Sequence, residues 1–229
     1  MPRETLTRDQ IVNAAVELLD AEGLEGLNMR ALGKRLGAAA TAMYWHVGGK
    51  DDLIELAGDR VWAEVALPDP AEVGWRAAAA GMAGDLHAML TRHLWLVQAF
   101  GQYVFAGAGK ARHHDHTLAV FEAAGFVGAQ ADQAAAGVYT YVLGNALGTA
   151  AKASLLRKLG RDGADADEAM RAGMAKAREV SARFPRLRER LETAAADYAA
   201  SPDDSFAFGL ESLLDGLEAR LAARAGQRQ

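Results

Sequence analysis

The sequence predicts an all-α protein built from a small N-terminal domain and a larger C-terminal domain. Hydrophobic residues make up 51% of the chain and are led by alanine and leucine, both good helix formers, whereas only five prolines occur in 229 residues. No stretch shows the alternation of apolar and polar residues that marks a half-buried strand, and no internal repeat is found. The predicted boundary separates residues 1–67 from residues 68–229, at the short linker Pro68–Trp75.

Composition narrows the function classes. A chain without cysteine forms neither disulfides nor thiolate sites. Its start, MPRETLTRDQ, lacks the apolar core of a signal peptide, and no apolar run approaches the roughly 18 residues of a membrane span, so a soluble cytoplasmic protein without a membrane partner is expected. The net charge of −5 does not favour nucleic-acid binding, so a DNA-binding role must rest on the placement of individual residues.

The first two helices are predicted from their end signals. Thr7 is followed three residues later by Gln10, a capping-box pattern, and apolar residues then recur at helical spacing. Gly23 should end this helix through a left-handed conformation. Asn28 can cap a short second helix, and Gly37 should end it after about two turns.

A third short helix is expected from about Ala39 to Val47, with Met43 and Val47 as its inward pair. Tyr44, Trp45 and His46 are consecutive, and three successive helix residues point in three directions, so at least one must leave the core. After a glycine break, Asp51 or Asp52 begins a fourth helix that is predicted to reach about Leu67.

Two short helices joined by a glycine turn and flanked by helices predict a helix-turn-helix unit, with the third helix in the DNA major groove and the second across the backbone. Small alanine side chains would allow close approach to base edges, while Tyr44, His46 and Lys50 could contact phosphates. The alternative is a small helical subdomain whose Tyr-Trp-His run is half core and half solvated. The candidate DNA-binding residues are Arg30, Lys34, Ala39, Ala40, Thr41, Ala42, Tyr44, Trp45, His46 and Lys50.

Residues 6–61 resemble the DNA-binding domain of the tetracycline-repressor (TetR) family. The resemblance rests on the frame AAxELLxxxGLEGLxxRxLxxxLG and on the block YWHVxxKxxL, with their spacing intact. It implies Arg30 near a guanine edge, the third helix in the major groove, and Tyr44 and Lys50 on phosphates. Polar residues and a proline stand in the tetracycline repressor where this chain has Ala39–Ala42, so the resemblance does not extend to the operator sequence.

The remainder predicts further helices separated by polar or glycine-containing breaks, including a polar loop from Gly160. The segments LAVFEAAGF and SFAFGLESLLDGLEARL also resemble the TetR family. The predicted helical ranges are 75–93, 95–106, 111–124, 128–158, 166–183, 186–199 and 202–224.

Polar and aromatic residues in the central helices predict a pocket for a small apolar or aromatic molecule, and the resemblance places the family's ligand pocket among these helices. Each of these residues could instead be an ordinary core residue. Tyr139 lies in the same aromatic-rich stretch. The candidate ligand-binding residues are His87, Trp95, Gln98, Phe100, Tyr103, Phe105, His116, Phe121, Tyr141 and Asn145.

The segment ARHHDHT places His113 and His116 three residues apart, a spacing at which both could hold a metal. No further ligand and no HExxH motif accompanies them, so a solvated or pocket-edge cluster is favoured, and no metal or cofactor is expected. No phosphate-binding glycine loop or nucleophile elbow occurs, so the sequence does not predict an enzyme.

A homodimer is predicted from two helices. Gly137, Gly144 and Gly148 recur on one face of the long middle helix, and Gly209 and Gly216 lie seven apart in the last one. Several glycines on one face suggest closely packed backbones, either between subunits or within one. The resemblance implies a four-helix interface between subunits. The apolar stripe of the last helix comprises Phe206, Leu210, Leu213, Leu214, Leu217 and Leu221.

The sequence therefore predicts a ligand-responsive transcriptional regulator, with a repressor favoured, that binds a palindromic double-stranded DNA operator as a homodimer and is released by a small-molecule effector. The alternative is a helical small-molecule-binding or enzymatic protein in which the three-helix unit is only structural. The operator sequence, the regulated genes and the effector's identity do not follow from the sequence.

Overall fold

The computed structural model describes residues 6–161, 166–191 and 202–226, and the regular structure within them is helical. The helices are α1 (Arg8–Gly26), α2 (Met29–Leu36), α3 (Ala40–Val47), α4 (Lys50–Trp62), α5 (Pro70–Val73), α6 (Trp75–Arg92), α7 (Leu94–Ala99), α8 (Ala108–Ala123), α9 (Ala129–Arg161), α10 (Ala166–Ser181), α11 (Pro185–Arg188) and α12 (Pro202–Gly226). The all-α prediction is confirmed. We call α1–α4 the head and α5–α12 the body.

The ends of the first helices follow their local chemistry. Thr7 Oγ1 accepts from the Gln10 amide at 3.2 Å and Gln10 Oε1 accepts from the Thr7 amide at 2.9 Å, which completes the capping box. Asn28 Oδ1 caps α2 by accepting from the Ala31 amide at 2.7 Å. Gly37 ends α2 at φ 62°, a conformation that a side chain would strain. Gly23 kinks α1 at φ 73°, but a further turn continues to Gly26.

Two boundaries near the head differ from the predicted ones. Helix α4 ends at Trp62 rather than Leu67, because the chain tightens into turns in which the Ala63 and Glu64 amides donate to the Arg60 and Val61 carbonyls at 3.2 and 3.0 Å. The linker at 68–75 also contains the short helix α5, whose first turn is capped by Asp69.

The predicted helix at 95–106 was too long. Helix α7 ends at Ala99, whose carbonyl accepts from the Tyr103 amide at 2.8 Å in a closing turn. The chain then places Phe105, 5% exposed, against Gly58 of α4, so tertiary packing overrides the helical pattern. At the predicted helix 186–199, the structure shows the short helix α11 over 185–188. Residues 192–200 lie outside the described part. Residues 162–165 of the predicted polar loop also lie outside it.

The apolar core runs without a break from the head into the body. Leu53 and Ile54 of α4 are fully buried inside the head, and Val61 and Trp62 of the same helix are buried where it meets α8. Helices α6 and α9 pack along each other in the body, and α12 lies against both. Among the described residues, no helix combines the length and apolarity that crossing a membrane requires.

Candidate DNA-binding surface and ligand cavity

Helix α3 buries only one narrow side. Met43 and Val47 are 0% and 4% exposed, as the inward pair was predicted to be. Tyr44, Trp45 and His46 all leave the core: Tyr44 is 50% exposed, Trp45 is 92% exposed and His46 is exposed. The prediction that at least one of these three side chains leaves the core is confirmed.

The other candidate DNA-binding residues surround this helix. Arg30 and Lys34 project from the exposed side of α2, and Ala39, Thr41 and Ala42 are exposed at the start of α3. The side chain of Ala40 lies outside the described residues. The described members of the set other than Lys50 are therefore exposed on two helices that contact each other, and contact with DNA remains a prediction.

Lys50 differs from the rest of this set. It is half-buried, and its Nζ donates to the Leu24 carbonyl at 3.0 Å, which fastens the start of α4 to the end of α1. Arg35 similarly pairs with Glu17 of α1 at 2.6 Å. The structure thus gives Lys50 a positioning contact within the head in addition to the phosphate contact predicted for it.

Helix α4 joins the head to the body at a close backbone approach. The Gly109 amide at the start of α8 donates to Asp59 Oδ1 at 2.6 Å. A Cβ at Gly109 would lie 2.5 Å from the Asp59 carbonyl oxygen and 3.2 Å from Trp62 Cβ, so the two helices touch through a residue without a side chain. Helices α4 and α8 are therefore in direct contact at this junction.

A second contact between head and body centres on His93, which lies between α6 and α7 and is 3% exposed. Its Nδ1 lies 2.7 Å from Asp20 Oδ1 of α1, and its Nε2 lies 3.2 Å from Glu64 Oε1 beyond α4. Trp95 Nε1 also donates to Asp20 at 2.8 Å, and Arg92 pairs with Glu64. Burial lowers the pKa of His93, but hydrogen bonds and attraction from Asp20 and Glu64 together outweigh it and raise the pKa.

The body forms a partly open cavity of about 290 Å³ between α6, α8 and α9, with the end of α4 as one wall. Lys110, His114 and Asp132 provide its more polar lining, and His114 and Asp132 are exposed. The rest is mainly apolar and aromatic. The lining residues are Trp62, Ala79, Met82, Ala83, Leu86, Lys110, His113, His114, Thr117, Val120, Phe121, Asp132, Ala135, Ala136, Val138 and Tyr139.

Three ring side chains meet at one end of this cavity. Trp62 and His113 have ring centroids 5.0 Å apart, and Trp62 stacks on Tyr139 at 6.4 Å with an interplanar angle of 23°. Burial, reinforced by the neighbouring His114 and His116, lowers the pKa of His113 to about 4. Burial also raises the pKa of Tyr139. Both rings are therefore uncharged near neutral pH.

Of the ten candidate ligand-binding residues, Phe121 lines this cavity. The other nine lie elsewhere because core partners hold them. Trp95 bonds to Asp20, and Gln98 Nε2 donates to the Ala150 carbonyl at 3.2 Å. Phe100 and Phe105 pack edge to face, 5.5 Å apart.

The remaining five are held by contacts of the same kind. Tyr103 donates to Asp51 at 3.1 Å, and His116 Nε2 lies 2.8 Å from the Pro68 carbonyl oxygen. His87 stacks on Phe206 at 4.0 Å. Tyr141 donates to the Phe206 carbonyl at 2.9 Å, and Asn145 donates to the Tyr141 carbonyl at 2.9 Å.

The sequence analysis did not name Trp62, and for His113 it favoured a solvated or pocket-edge cluster. The apolar spacing of α4 could have identified Trp62, because Trp62 continues the buried face that begins with Leu53 and Ile54. His113 and Thr117 are i, i+4 neighbours that share a helix face with the cavity-lining residues Val120 and Phe121. Within the described residues, no group of three potential metal ligands is found.

The outward faces of α9 and α12 carry small and apolar residues. Gly144 and Gly148 are exposed, and a Cβ at either would meet no atom of the described residues within 4 Å. Leu147 between them is 57% exposed, and Phe208 of α12 is 78% exposed.

The predicted leucine stripe divides into buried and half-buried residues. Phe206, Leu210 and Leu214 are 9%, 5% and 0% exposed, so they belong to the protomer's own core, and Gly209 approaches the Tyr141 hydroxyl within the protomer. The half-buried remainder consists of Leu213, Leu217 and Leu221.

Comparison with known proteins agrees with this architecture. Residues 67–221 match the family model described as the tetracyclin repressor-like C-terminal domain, and residues 11–57 match that of bacterial regulatory proteins of the tetR family. The chain is 34% identical over 235 residues to the HTH-type transcriptional repressor DrrR1 of Streptomyces coeruleorubidus, covering 99% of this chain and 82% of that protein. It is 28% identical over 222 residues to the Escherichia coli tetracycline repressor protein class A from transposon 1721, covering 94% and 92%.

Solved structures are similar over nearly the full length. The TetR family protein ActR of Streptomyces coelicolor, in complex with actinorhodin, has a TM-score of 0.74 and 26% identity, covering 94% of this chain and 97% of that one. ActR without ligand gives 0.73 and 27%, covering 96% and 98%. The chain belongs to the TetR family and is a transcriptional repressor.

Proposed function

We propose that this repressor binds a palindromic DNA operator through α2 and α3, with residues 1–67 as the DNA-binding domain and residues 68–229 as the ligand-binding and dimerisation domain. Arg30 has the length and fork geometry to read a guanine edge, and Lys34 and Tyr44 can contact phosphates. The exposed alanines let α3 enter the groove closely. That relatives carry the names of repressors and regulators supports a role without catalysis.

The partner proposed for the outward face of α9 and α12 is a second copy of the chain. The open glycines allow two α9 backbones to approach, and Leu147 and Phe208 supply apolar area that is exposed in the single protomer. A two-fold axis would then place two copies of α3 about one DNA turn apart, roughly 34–36 Å, on a palindrome.

The observation that carries the ligand response is the position of Trp62. One helix, α4, contributes Leu53 and Ile54 to the core of the head and Trp62 to the wall of the cavity. An apolar or aromatic ligand that displaces Trp62 would tilt α4 and with it α3, so that the two heads of the dimer no longer match the operator. That ActR has been solved with small molecules supports an effector of this general kind.

The test begins with selection of bound fragments from random DNA, followed by titration of aromatic compounds against the selected operator. DNA affinity and molecular mass are followed together. We expect release at constant dimer mass, with a coupling of about 1–3 kcal/mol, or roughly 5- to 150-fold in DNA affinity. Release accompanied by monomers would refute the proposed mechanism, and so would saturable ligand binding that left DNA affinity unchanged.

A further inference from the structure

Two residues that line the cavity each carry a buried side-chain nitrogen with no hydrogen-bond partner among the described residues: Trp62 Nε1 and His113 Nε2. Trp62 is 1% exposed and His113 is 8% exposed, so neither residue is freely hydrated. Both line the cavity. Buried polar groups are nearly always paired, so an unpaired nitrogen on a residue that lines a cavity is a candidate to bond a molecule held there.

The chemistry of the two atoms restricts that molecule. An indole Nε1 is only a donor, so its partner must be an acceptor. His113 is uncharged near neutral pH because burial, with His114 and His116, lowers its pKa to about 4. A neutral imidazole Nε2 can donate or accept, and it offers no positive charge to balance a carboxylate. Lys110 and Asp132 also line the cavity and carry opposite charges, so the lining as a whole does not favour an anion. An uncharged acceptor such as a carbonyl oxygen is therefore the best match for the two nitrogens.

Size and lining restrict the rest of the ligand. A volume of about 290 Å³ is at the small end of ligand sites and suits two or three fused rings. The rings of Trp62, Phe121 and Tyr139 offer flat surfaces against which an aromatic skeleton can pack.

We propose that the effector is a flat, uncharged aromatic ketone whose carbonyl oxygen accepts a hydrogen bond from Trp62 Nε1, with His113 Nε2 bonding to that oxygen or to a polar atom beside it. This proposal rests on the proposed function, in which the cavity is the effector site. Because Trp62 belongs to α4 and His113 to α8, the same polar group would join the two helices beside the Gly109 junction. The hydrogen bonds that recognise the ligand would then also be the contacts that connect α4 to α8.

The test compares 9-fluorenone with fluorene, which share a three-ring skeleton and differ at one carbon, a carbonyl in the first and a methylene in the second. Binding to the full-length parent protein is measured by isothermal titration calorimetry. We expect fluorenone to bind about 10-fold more tightly, since its oxygen satisfies a buried donor that fluorene leaves unpaired. Equal affinities, tighter binding of fluorene, or no saturable binding of fluorenone would overturn the proposal.

Two variants test whether the preference for fluorenone over fluorene comes from Trp62 Nε1 and His113 Nε2. Trp62→Phe and His113→Phe each retain a ring and remove the polar nitrogen, so each should reduce the preference for fluorenone to about 3-fold or less. Phe121→Leu is the matched control, because it changes the lining without touching a polar atom and should weaken both compounds alike. A full 10-fold preference retained in both nitrogen variants would contradict the assignment. The comparison of the two compounds on the parent protein holds even where a variant does not fold.

A parallel titration against the selected operator separates this proposal from the proposed function. A fluorenone preference without DNA release would support the ligand chemistry and refute the cavity as the effector site. DNA release by fluorene and fluorenone at equal concentrations would support the cavity as the effector site and refute the proposed ligand chemistry.

Discussion

A single methyl group at Gly109 should disturb the junction that connects cavity and head. In Gly109→Ala, the new Cβ would lie 2.5 Å from the Asp59 carbonyl oxygen, whereas Cβ atoms are essentially never found closer than 3.0 Å and ordinary contact begins at 3.4 Å. The atom it meets is backbone and cannot rotate away. Helices α4 and α8 must therefore separate by about 0.5–0.9 Å, the difference between these distances, and Trp62 must move with α4.

Overpacking of this size costs about 1–3 kcal/mol. Replacing glycine by alanine in a helix returns up to about 1 kcal/mol, less in the first turn where Gly109 lies. The expected net loss of unfolding free energy is about 1–2 kcal/mol. If α4 relaxes by the displacement that the effector causes, DNA affinity should fall about 5- to 30-fold without any ligand, at 1.4 kcal/mol per tenfold.

Urea unfolding and fluorescence anisotropy with labelled operator measure the two effects. Gly81→Ala in α6 is the control, because Gly81 has no atom within 4 Å of its Cβ position and should gain rather than lose stability. The control should bind DNA like the parent. A Gly109→Ala protein with the parent's stability and DNA affinity would show that the junction does not couple the two sites.

Three further predictions concern the DNA surface, the dimer and pH. Arg30→Ala should cost about 1–3 kcal/mol of operator affinity and relax the preference at one position per half-site, measured by repeating the selection; an unchanged profile would remove Arg30 from base reading. A Cβ at Gly144 would meet no described atom of its own protomer within 4 Å, so Gly144→Leu should yield folded monomers in sedimentation, and a folded dimer would place the interface elsewhere. The raised pKa of His93 means that its contacts with Asp20 and Glu64 stabilise the protein fully below about pH 6.5 and progressively less as pH rises through the raised value. His93→Gln should flatten this fall in melting temperature between pH 6 and 9, whereas an equally steep fall in the variant would exclude His93 as its source.

The head could be predicted from the sequence because its signals are local. The Thr7–Gln10 capping box, the Asn28 cap and the turn at Gly37 each act within three or four residues. Periodicity was sufficient to orient α3, since burying Met43 and Val47 leaves little choice for the residues between them.

The cavity could not be predicted in the same way, because its walls come from four helices that meet only in the folded chain. Aromatic composition indicated an aromatic pocket, but Trp95 and Tyr103 are hydrogen-bonded to Asp20 and Asp51, which lie 75 and 52 residues away. Sequence periodicity does not reveal such pairings. The unpaired nitrogens of Trp62 and His113 likewise become visible only when every neighbour is in place.

Trp45 is far more exposed than Trp62 and Trp95, so tryptophan fluorescence can report separately on the proposed DNA face and on the cavity. Trp45 stands 92% exposed on the proposed DNA face, whereas Trp62 and Trp95 are 1% and 0% exposed, one in the cavity wall and the other beside Asp20. Dissolved iodide should quench Trp45 most strongly, the half-buried Trp75 less, and Trp62 and Trp95 least. Bound DNA should shield Trp45 from iodide, while a ligand in the cavity should change the emission of Trp62 at short wavelength. The two halves of the regulatory cycle could then be timed in one unlabelled sample, with the order of ligand entry and DNA release given by which indole changes first.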